Sequence, residues 1–179
     1  MFNSLKAKIK KEYAMRIKKM SIEDLKIENW RKQGMKIGKN VHIYSDLFSK
    51  EPYMISIGDD TTISGNVTLV THDNSISKYL PQYTDTFGRI NIGKNCFIGM
   101  GSMIMSGVTL GDNCIVAAGS VVTKSFESGT VIGGTPAKSI CKVEDLVEKN
   151  EKFGFNIRGL DADEKRSLLE NHPEKLVVR

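Results

Sequence analysis

The feature that most constrains this 179-residue chain is a six-residue repeat between Asn91 and Val122. An aliphatic residue returns at every sixth position of this stretch: Ile92, Ile98, Ile104, Leu110, Val116 and Val122. A helix has a period of about 3.6 residues and a half-buried strand a period of about 2, so neither element explains the spacing. A period of six is typical of a β-helix, in which three short strands form a coil and successive coils stack.

Two further positions in each repeat unit support a stack of coils. The position four residues after the aliphatic is usually occupied by a small residue: Cys96, Ser102, Val108, Cys114 and Ser120. The position three residues after it is occupied by residues that tolerate positive φ: Asn95, Gly101, Gly107, Asn113 and Gly119. We therefore predict that the aliphatic and small residues point inward, and that the Gly and Asn residues form sharp corners between strands.

The repeat extends upstream of this stretch but is interrupted after Leu69. The register places His72 at a corner, where the other units have Gly, Asn or Asp, and places Asp73 at an inner position. It resumes at Ile92, which leaves a 17-residue insertion, 75–91. This insertion carries three aromatic residues: Tyr79, Tyr83 and Phe87. A long aromatic loop in a regular solenoid is typical of the wall of a site, and the alternative is a loop that only covers a neighbouring subunit.

An earlier and smaller slip in the register lies between Ile43 and Ile57, where residues 49–53 bulge out of the pattern. Pro52 in this bulge cannot donate a hydrogen bond to a strand ladder. Glu51 is interpreted as an exposed and solvated carboxylate, with service to a polar substrate as the alternative.

The segments outside the repeat are predicted to be helical, which divides the chain into residues 1–34, 35–142 and 143–179. Ser21 and Asp24 form a variant of the capping box before a helix that ends near Gly34. Residues 1–20 combine an apolar helical face with many lysines. This pattern indicates either a helix packed within the assembly or weak association with an anionic membrane surface.

Composition narrows the classes of function and the compartment. The net charge of +5 is modest beside that of typical nucleic-acid binders, so we expect no nucleic-acid partner. Three cysteines without disulfide or zinc spacing favour a reducing, cytoplasmic setting. No run of about 18 apolar residues and no apolar core after the basic N-terminus are present, so neither a transmembrane helix nor a signal peptide is predicted.

Several segments together resemble the hexapeptide-repeat acyltransferases, specifically the sugar O-acetyltransferases that include the maltose, galactoside, capsule and lipopolysaccharide enzymes. The segments that carry the resemblance are Glu51–Gly58, Val70–Asp73, Ile92–Gly99, Ala117–Lys124 and Gly133–Lys138. The resemblance implies an all-β solenoid, a left-handed parallel β-helix with N- and C-terminal helices. It further implies an acetyl-CoA donor, a homotrimer with active sites between neighbouring subunits, a carbohydrate acceptor and no metal.

The resemblance also implies roles for individual residues. His72 matches the catalytic histidine of the family. Five residues match positions that contact coenzyme A: Met100, Ala118, Thr123, Lys124 and Lys138. Acetyl transfer to a hydroxyl needs a base. An unperturbed imidazole has a pKa of about 6.5 and is largely neutral at cytoplasmic pH, so it suits that role. Asp73, or equally a backbone carbonyl, would hold the other ring nitrogen. Cys96 and Cys114 are predicted to face inward and are poor nucleophile candidates.

Three other functions compete with O-acetylation of a sugar in surface polysaccharide or glycan modification. A γ-type carbonic anhydrase needs three histidines on zinc, and the coils after His72 contain none, so zinc catalysis is rejected. An amino-sugar N-acetyltransferase would share the donor and the base. A non-catalytic solenoid that only binds a partner would not bind acetyl-CoA.

Overall fold

The computed structural model describes residues 12–13, 21–47 and 49–178. The amphipathic pattern of residues 1–20 lies almost wholly outside this range, so its contact with a membrane remains a prediction. None of the helices within the described part of the chain is long and apolar enough to cross a membrane.

The strands form three parallel sheets around one apolar core. The first sheet contains β1 (Lys36–Ile37), β3 (Ile55–Ile57), β8 (Ile90–Ile92) and β11 (Thr109–Leu110). The second sheet contains β5 (Thr68–Leu69), β10 (Met103–Ile104) and β13 (Val121–Val122). The third sheet contains β2 (His42–Ile43), β4 (Thr62–Ile63), β9 (Phe97–Ile98), β12 (Ile115–Val116), β14 (Thr130–Gly134) and β15 (Ala137–Lys142), the last of which pairs antiparallel.

Strand pairing confirms the predicted period. Ile92 pairs with Leu110, and Ile104 pairs with Val122, so in each case the partner lies 18 residues further along the chain. Eighteen residues are three six-residue units, one for each sheet. The inner residues predicted between Asn91 and Val122 are all buried, with exposed fractions of 0–3%: Ile92, Cys96, Ile98, Ser102, Ile104, Val108, Leu110, Cys114, Val116, Ser120 and Val122. The core is therefore a column of large aliphatic side chains alternating with small ones.

The predicted corners are also confirmed in the regular part of the stack. Positive φ angles between 50° and 83° occur at Asn95, Gly101, Gly107, Asn113 and Gly119. Upstream, Asn40, Asp60 and Asn66 adopt the same conformation. Because Gly and Asn are the residues that occupy this region at least cost, the local sequence alone is sufficient to position these turns.

The chain leaves the stack after β5, where the sequence pattern fails. Thr71 is buried, and the following residues form β6 (His72–Asp73), which pairs antiparallel with β7 (Thr86–Phe87). A short 3-10 helix, Ser75–Lys78, lies between the two strands. The stack resumes with Ile90, which is fully buried and pairs with Ile55, so β8 begins inside the predicted insertion of residues 75–91.

Helices flank the stack at both ends. Helix α1 (Ile22–Lys32) begins with the predicted capping box, in which Ser21 and Asp24 satisfy each other's backbone N–H groups. Arg31 donates to the carbonyl oxygens of Ile37 and Gly38, and so satisfies acceptors at the open edge of the first sheet. At the other end, α2 (Val143–Asn150) and α3 (Ala162–Glu170) follow β15.

Candidate active site

His72 lies where the chain leaves the stack, and its surroundings come from three segments. Its side chain is 32% exposed, which leaves the ring open to solvent on one side. The ring of Phe87, directly opposite in the β6–β7 pair, lies 5.9 Å away between centroids. The carboxylate of Glu51 approaches from the preceding coil, with Oε2 2.9 Å from His72 Nδ1.

Glu51 is held by a closed ring of hydrogen bonds. The Thr71 hydroxyl donates to Glu51 Oε2 at 2.6 Å. The Ser49 hydroxyl lies 3.1 Å from Thr71 Oγ1 and accepts from the Glu51 backbone N–H at 3.2 Å. Since Thr71 uses its one proton on Glu51, Ser49 donates to Thr71. The carboxylate is only 13% exposed and therefore has a defined position relative to the imidazole.

This environment determines the charge on Glu51 and the tautomer of His72. The Thr71 hydrogen bond, followed by that of His72, holds the pKa of the Glu51 carboxyl below its ordinary value, and outweighs the opposite effect of burial. The carboxylate is thus ionised at neutral pH and can only accept hydrogen bonds. The proton of the neutral imidazole therefore resides on Nδ1, and the lone pair of Nε2 is left for an incoming group.

The structure corrects the predictions for Asp73 and for the backbone of His72. The Asp73 carboxylate accepts from the Ser75 backbone N–H at 2.8 Å, and this bond lowers the pKa of Asp73. Asp73 is exposed rather than inner, and the backbone at His72 is part of a strand rather than a corner. Pairing with β7 has drawn both residues out of the coil, so the carboxylate on Nδ1 belongs to Glu51.

Two of the predicted coenzyme A residues lie on the same edge of the second sheet as His72. Lys124 follows β13 by two residues, just as Thr71 follows β5 by two residues. The order of the sheet is β13, β10, β5, so two strand spacings, about 10 Å, separate these levels. Thr123 and Lys124 are both exposed, and the Lys124 ammonium lies 5.5 Å from the centre of the Phe126 ring.

The other three predicted coenzyme A residues cluster at the corner before the second sheet. The Gly119 N–H donates to the Met100 carbonyl at 2.8 Å, which stacks the Met100 and Ala118 corners. Lys138 pairs with Gly133 in the β14–β15 hairpin, and Gly133 lies beside Ala117. Met100, Ala118 and Lys138 are exposed. The predicted coenzyme A residues thus lie at both ends of the strands of the second sheet, and the surface of that sheet lies between them.

The remaining candidate groups are the cysteines of the repeat and the possible metal ligands. Cys96 and Cys114 are buried in the core, and contact with the Cys114 thiol together with burial raises the pKa of Cys96. Neither thiol is accessible to a substrate. Within residues 21–47 and 49–178, no three His, Cys, Asp or Glu side chains are grouped in a way that would hold a metal ion.

Sequence reasoning interpreted Glu51 as solvated and missed Thr71 and Ser49. One signal was present in the sequence. Glu51 precedes Thr71 by 20 residues, the same offset that separates the paired residues His42 and Thr62 in adjacent coils. A bulge one coil before the break in the repeat therefore predicts proximity, although it does not predict which side chain points inward.

Comparisons with known proteins agree with this architecture. Residues 89–124 match the model of the family described as the hexapeptide repeat of succinyl-transferase. The chain is 40% identical over 166 residues to protein CapG of Staphylococcus aureus, which covers 90% of this chain and 95% of CapG.

Two solved structures are also similar. A maltose O-acetyltransferase from Clostridium difficile 630 is 33% identical, with 61% of this chain and 59% of that chain covered and a TM-score of 0.56. The hexapeptide-repeat acetyltransferase VCA0836 of Vibrio cholerae O1 biovar eltor, complexed with acetyl coenzyme A, is 27% identical, with 61% and 60% covered and a TM-score of 0.54. The chain thus spans about three fifths of the length of each of these two structures.

The fold and the site define a class of protein: a stack of six-residue strand units with a carboxylate-oriented histidine at its edge. The near full-length match to CapG and the family model place the chain within a family of this class. It belongs to the hexapeptide-repeat acyltransferases, and the resemblance predicted from its motifs is confirmed.

Proposed function

We propose that this protein transfers an acetyl group from acetyl-CoA to a sugar hydroxyl in the modification of a surface polysaccharide or another glycan. The observation that carries the proposal is the contact between His72 and Glu51, because it leaves Nε2 of a partly exposed ring free to act as a base. The sugar acceptor is supported by the similarity to a maltose O-acetyltransferase. The donor is supported by the similarity to a protein complexed with acetyl coenzyme A.

The residues of this chain fit the chemistry of each step. Nε2 of His72 accepts the proton of the sugar hydroxyl while the sugar oxygen attacks the thioester carbonyl carbon. The C–S bond breaks, and the imidazolium returns the proton to the departing thiolate, so the products are an acetyl ester and free coenzyme A. Glu51 stabilises the transient imidazolium through Nδ1. General-base catalysis of this kind contributes roughly 10²–10⁴-fold to the rate.

Binding of the donor is assigned to the surface of the second sheet. Lys124 and Lys138 would meet the phosphates of coenzyme A as charge-assisted partners, and both are exposed. Met100, Ala118 and Thr123 would line the path of the pantetheine arm. Two observations support this assignment: the exposure of these residues and the position of Lys124 on the edge that also carries His72.

Four finer features belong to the same proposal. The coils are proposed to wind left-handed, as in the family that the chain belongs to. The protein is proposed to act as a homotrimer with its active sites between subunits, and to work in the cytoplasm. The free thiols Cys96, Cys114 and Cys141 support a reducing compartment. The division into residues 1–34, 35–142 and 143–179 is likewise proposed.

The experiment that tests the function is thiol release from acetyl-CoA against a panel of hydroxyl sugars and amino sugars. We expect turnover with hydroxyl sugars and a loss of at least about 100-fold in the His72→Ala variant. His42→Ala is the matched control, because His42 is 57% exposed and contacts Glu23 in α1 rather than the site. Turnover of amino sugars alone would change the assignment to an N-acetyltransferase. Absence of both turnover and acetyl-CoA binding would indicate a non-catalytic solenoid.

A further inference from the structure

The exposed aromatic ring beside the catalytic base has no role in the mechanism above. Phe87 lies directly opposite His72 in the β6–β7 pair, and directly opposite residues project from the same face of a two-stranded ribbon. Its ring is tilted by 41° to the imidazole at a centroid distance of 5.9 Å. Phe87 is nonetheless 56% exposed, so one face of the ring remains open to solvent next to the base.

The backbone that carries Phe87 is held on both sides. The Thr86 hydroxyl donates to the Asp73 carbonyl at 3.3 Å, and the Gly88 N–H donates to the Thr71 carbonyl at 3.0 Å. A Cβ at Gly88 would lie 2.3 Å from the Gly107 backbone nitrogen, so this strand is pressed against the corner of the next coil. The ring is therefore presented from a fixed position, and exposure of so large an apolar group at a fixed position indicates a ligand surface.

The electrostatics of the aromatic ring and the position of the imidazole narrow the chemical class of the ligand. The face of an aromatic ring is electron-rich, and it attracts weakly positive C–H bonds. A pyranose ring presents such C–H bonds on one face, while its hydroxyls point outward from the ring edge. A sugar that stacks on Phe87 would direct an edge hydroxyl toward the neighbouring imidazole, whose Nε2 lone pair is free because Glu51 engages Nδ1.

We infer that Phe87 is the stacking platform of the acceptor site, and that the acceptor is a pyranoside with an uninterrupted C–H face next to the hydroxyl that is acetylated. This inference rests on the proposed function and deepens it, because it assigns the substrate class and the residue that selects it. Phe87 binds the acceptor and leaves proton transfer to His72.

The test compares Phe87→Ala and Phe87→Trp with the unaltered protein. The probes are the methyl pyranosides of glucose, galactose and mannose, each with acetyl-CoA. We expect Phe87→Ala to raise KM for the best pyranoside about tenfold, as loss of an aromatic contact predicts, with kcat and KM for acetyl-CoA changed less than about twofold. Phe87→Trp is expected to retain the KM of the unaltered protein. Tyr44→Ala is the control, because Tyr44 is a similarly exposed aromatic residue (64%) that lies next to β2.

A second measurement does not depend on turnover. Saturation-transfer NMR on the same pyranosides should show protein contact with the C–H protons of one ring face, and Phe87→Ala should abolish it. A KM for Phe87→Ala within twofold of the unaltered value, or an unchanged NMR contact, would overturn the assignment while leaving the acetyltransferase function intact. Absence of acetylation of every hydroxyl compound, with the NMR contact present, would instead refute the function and retain Phe87 as a sugar contact.

Discussion

Nδ1 of His72 and Oε2 of Glu51 lie 2.9 Å apart, although the two residues are 21 positions apart in the chain. Stacking of adjacent coils brings them together, and the hydroxyl of Thr71 holds the carboxylate in place. The contact selects the tautomer of the His72 ring and would provide a counter-charge for the imidazolium in the proposed reaction. We therefore propose Glu51 as the positioning residue of the site.

Replacement of Glu51 by Gln is expected to lower kcat while KM for acetyl-CoA stays unchanged. The amide keeps the shape but loses the charge that stabilises the imidazolium, so we expect a loss of about 10–100-fold, part of the roughly 10²–10⁴-fold that a general base supplies. Steady-state kinetics measure this effect. In a His72→Ala background, Glu51→Gln should cause no further loss, since the two residues act as one unit. A multiplicative loss in the double variant would contradict the positioning role.

Stability should depend on pH through Glu51. The pKa of Glu51 is lower in the folded protein than in the unfolded chain. The carboxylate therefore stabilises the fold fully at pH values above the ordinary pKa of a Glu side chain, about 4.3. That contribution is lost as the pH falls through the lowered folded value. Urea unfolding should therefore show a difference in unfolding free energy between the unaltered protein and Glu51→Gln at pH 5, and this difference should shrink toward pH 3. A difference that grew between pH 5 and pH 3 would refute this prediction.

Two glycines that lie close to corners should differ sharply in their tolerance of a methyl group. A Cβ at Gly58 would lie 2.6 Å from the backbone of Gly93 in the next coil, whereas one at Gly65 meets only the flexible end of Met100 at 3.8 Å. Neither glycine has a positive φ, so the comparison isolates the steric effect. We expect Gly58→Ala to cost about 1–3 kcal/mol of unfolding free energy, and Gly65→Ala to stay within about 0.5 kcal/mol. Thermal unfolding of the two variants provides the comparison, and equal melting temperatures would disprove it.

The lysines assigned to the donor should affect binding rather than chemistry. Lys124→Ala is expected to raise KM for acetyl-CoA about 5- to 20-fold at low salt, with kcat nearly unchanged, because a charge-assisted phosphate contact is lost. The effect should diminish with added salt, since exposed charges are screened. Kinetics at two ionic strengths measure it, with Lys94→Ala, an exposed lysine at a corner after the first sheet, as control. An equal effect of Lys94→Ala would argue against a specific site at Lys124.

Most of the stack could be predicted from sequence because each strand and corner is specified by residues that are close together in the chain. Each unit repeats the same contrast of a large aliphatic, a small inner residue and a corner that favours Gly or Asn, and each of these choices depends only on its immediate neighbours. For this reason the burial of Ile98, the positive φ at Gly101 and the pairing 18 residues apart all agree with the pattern. The capping box at Ser21 was equally accessible, since its partners are three residues apart.

The chain by itself determined the repeat, its corners and the point at which the repeat is interrupted. The partner of the His72 ring was decided only by the tertiary structure. Asp73 is adjacent to His72 in sequence, but adjacent residues of a strand point to opposite faces, which separates their side chains. Glu51 reaches the His72 ring because a bulge in one coil is stacked on the break in the next coil. The buried hydroxyl of Thr71 donates to the carboxylate and stabilises it there. Contacts between coils depend on how the bulges are folded, and no local pattern encodes that geometry.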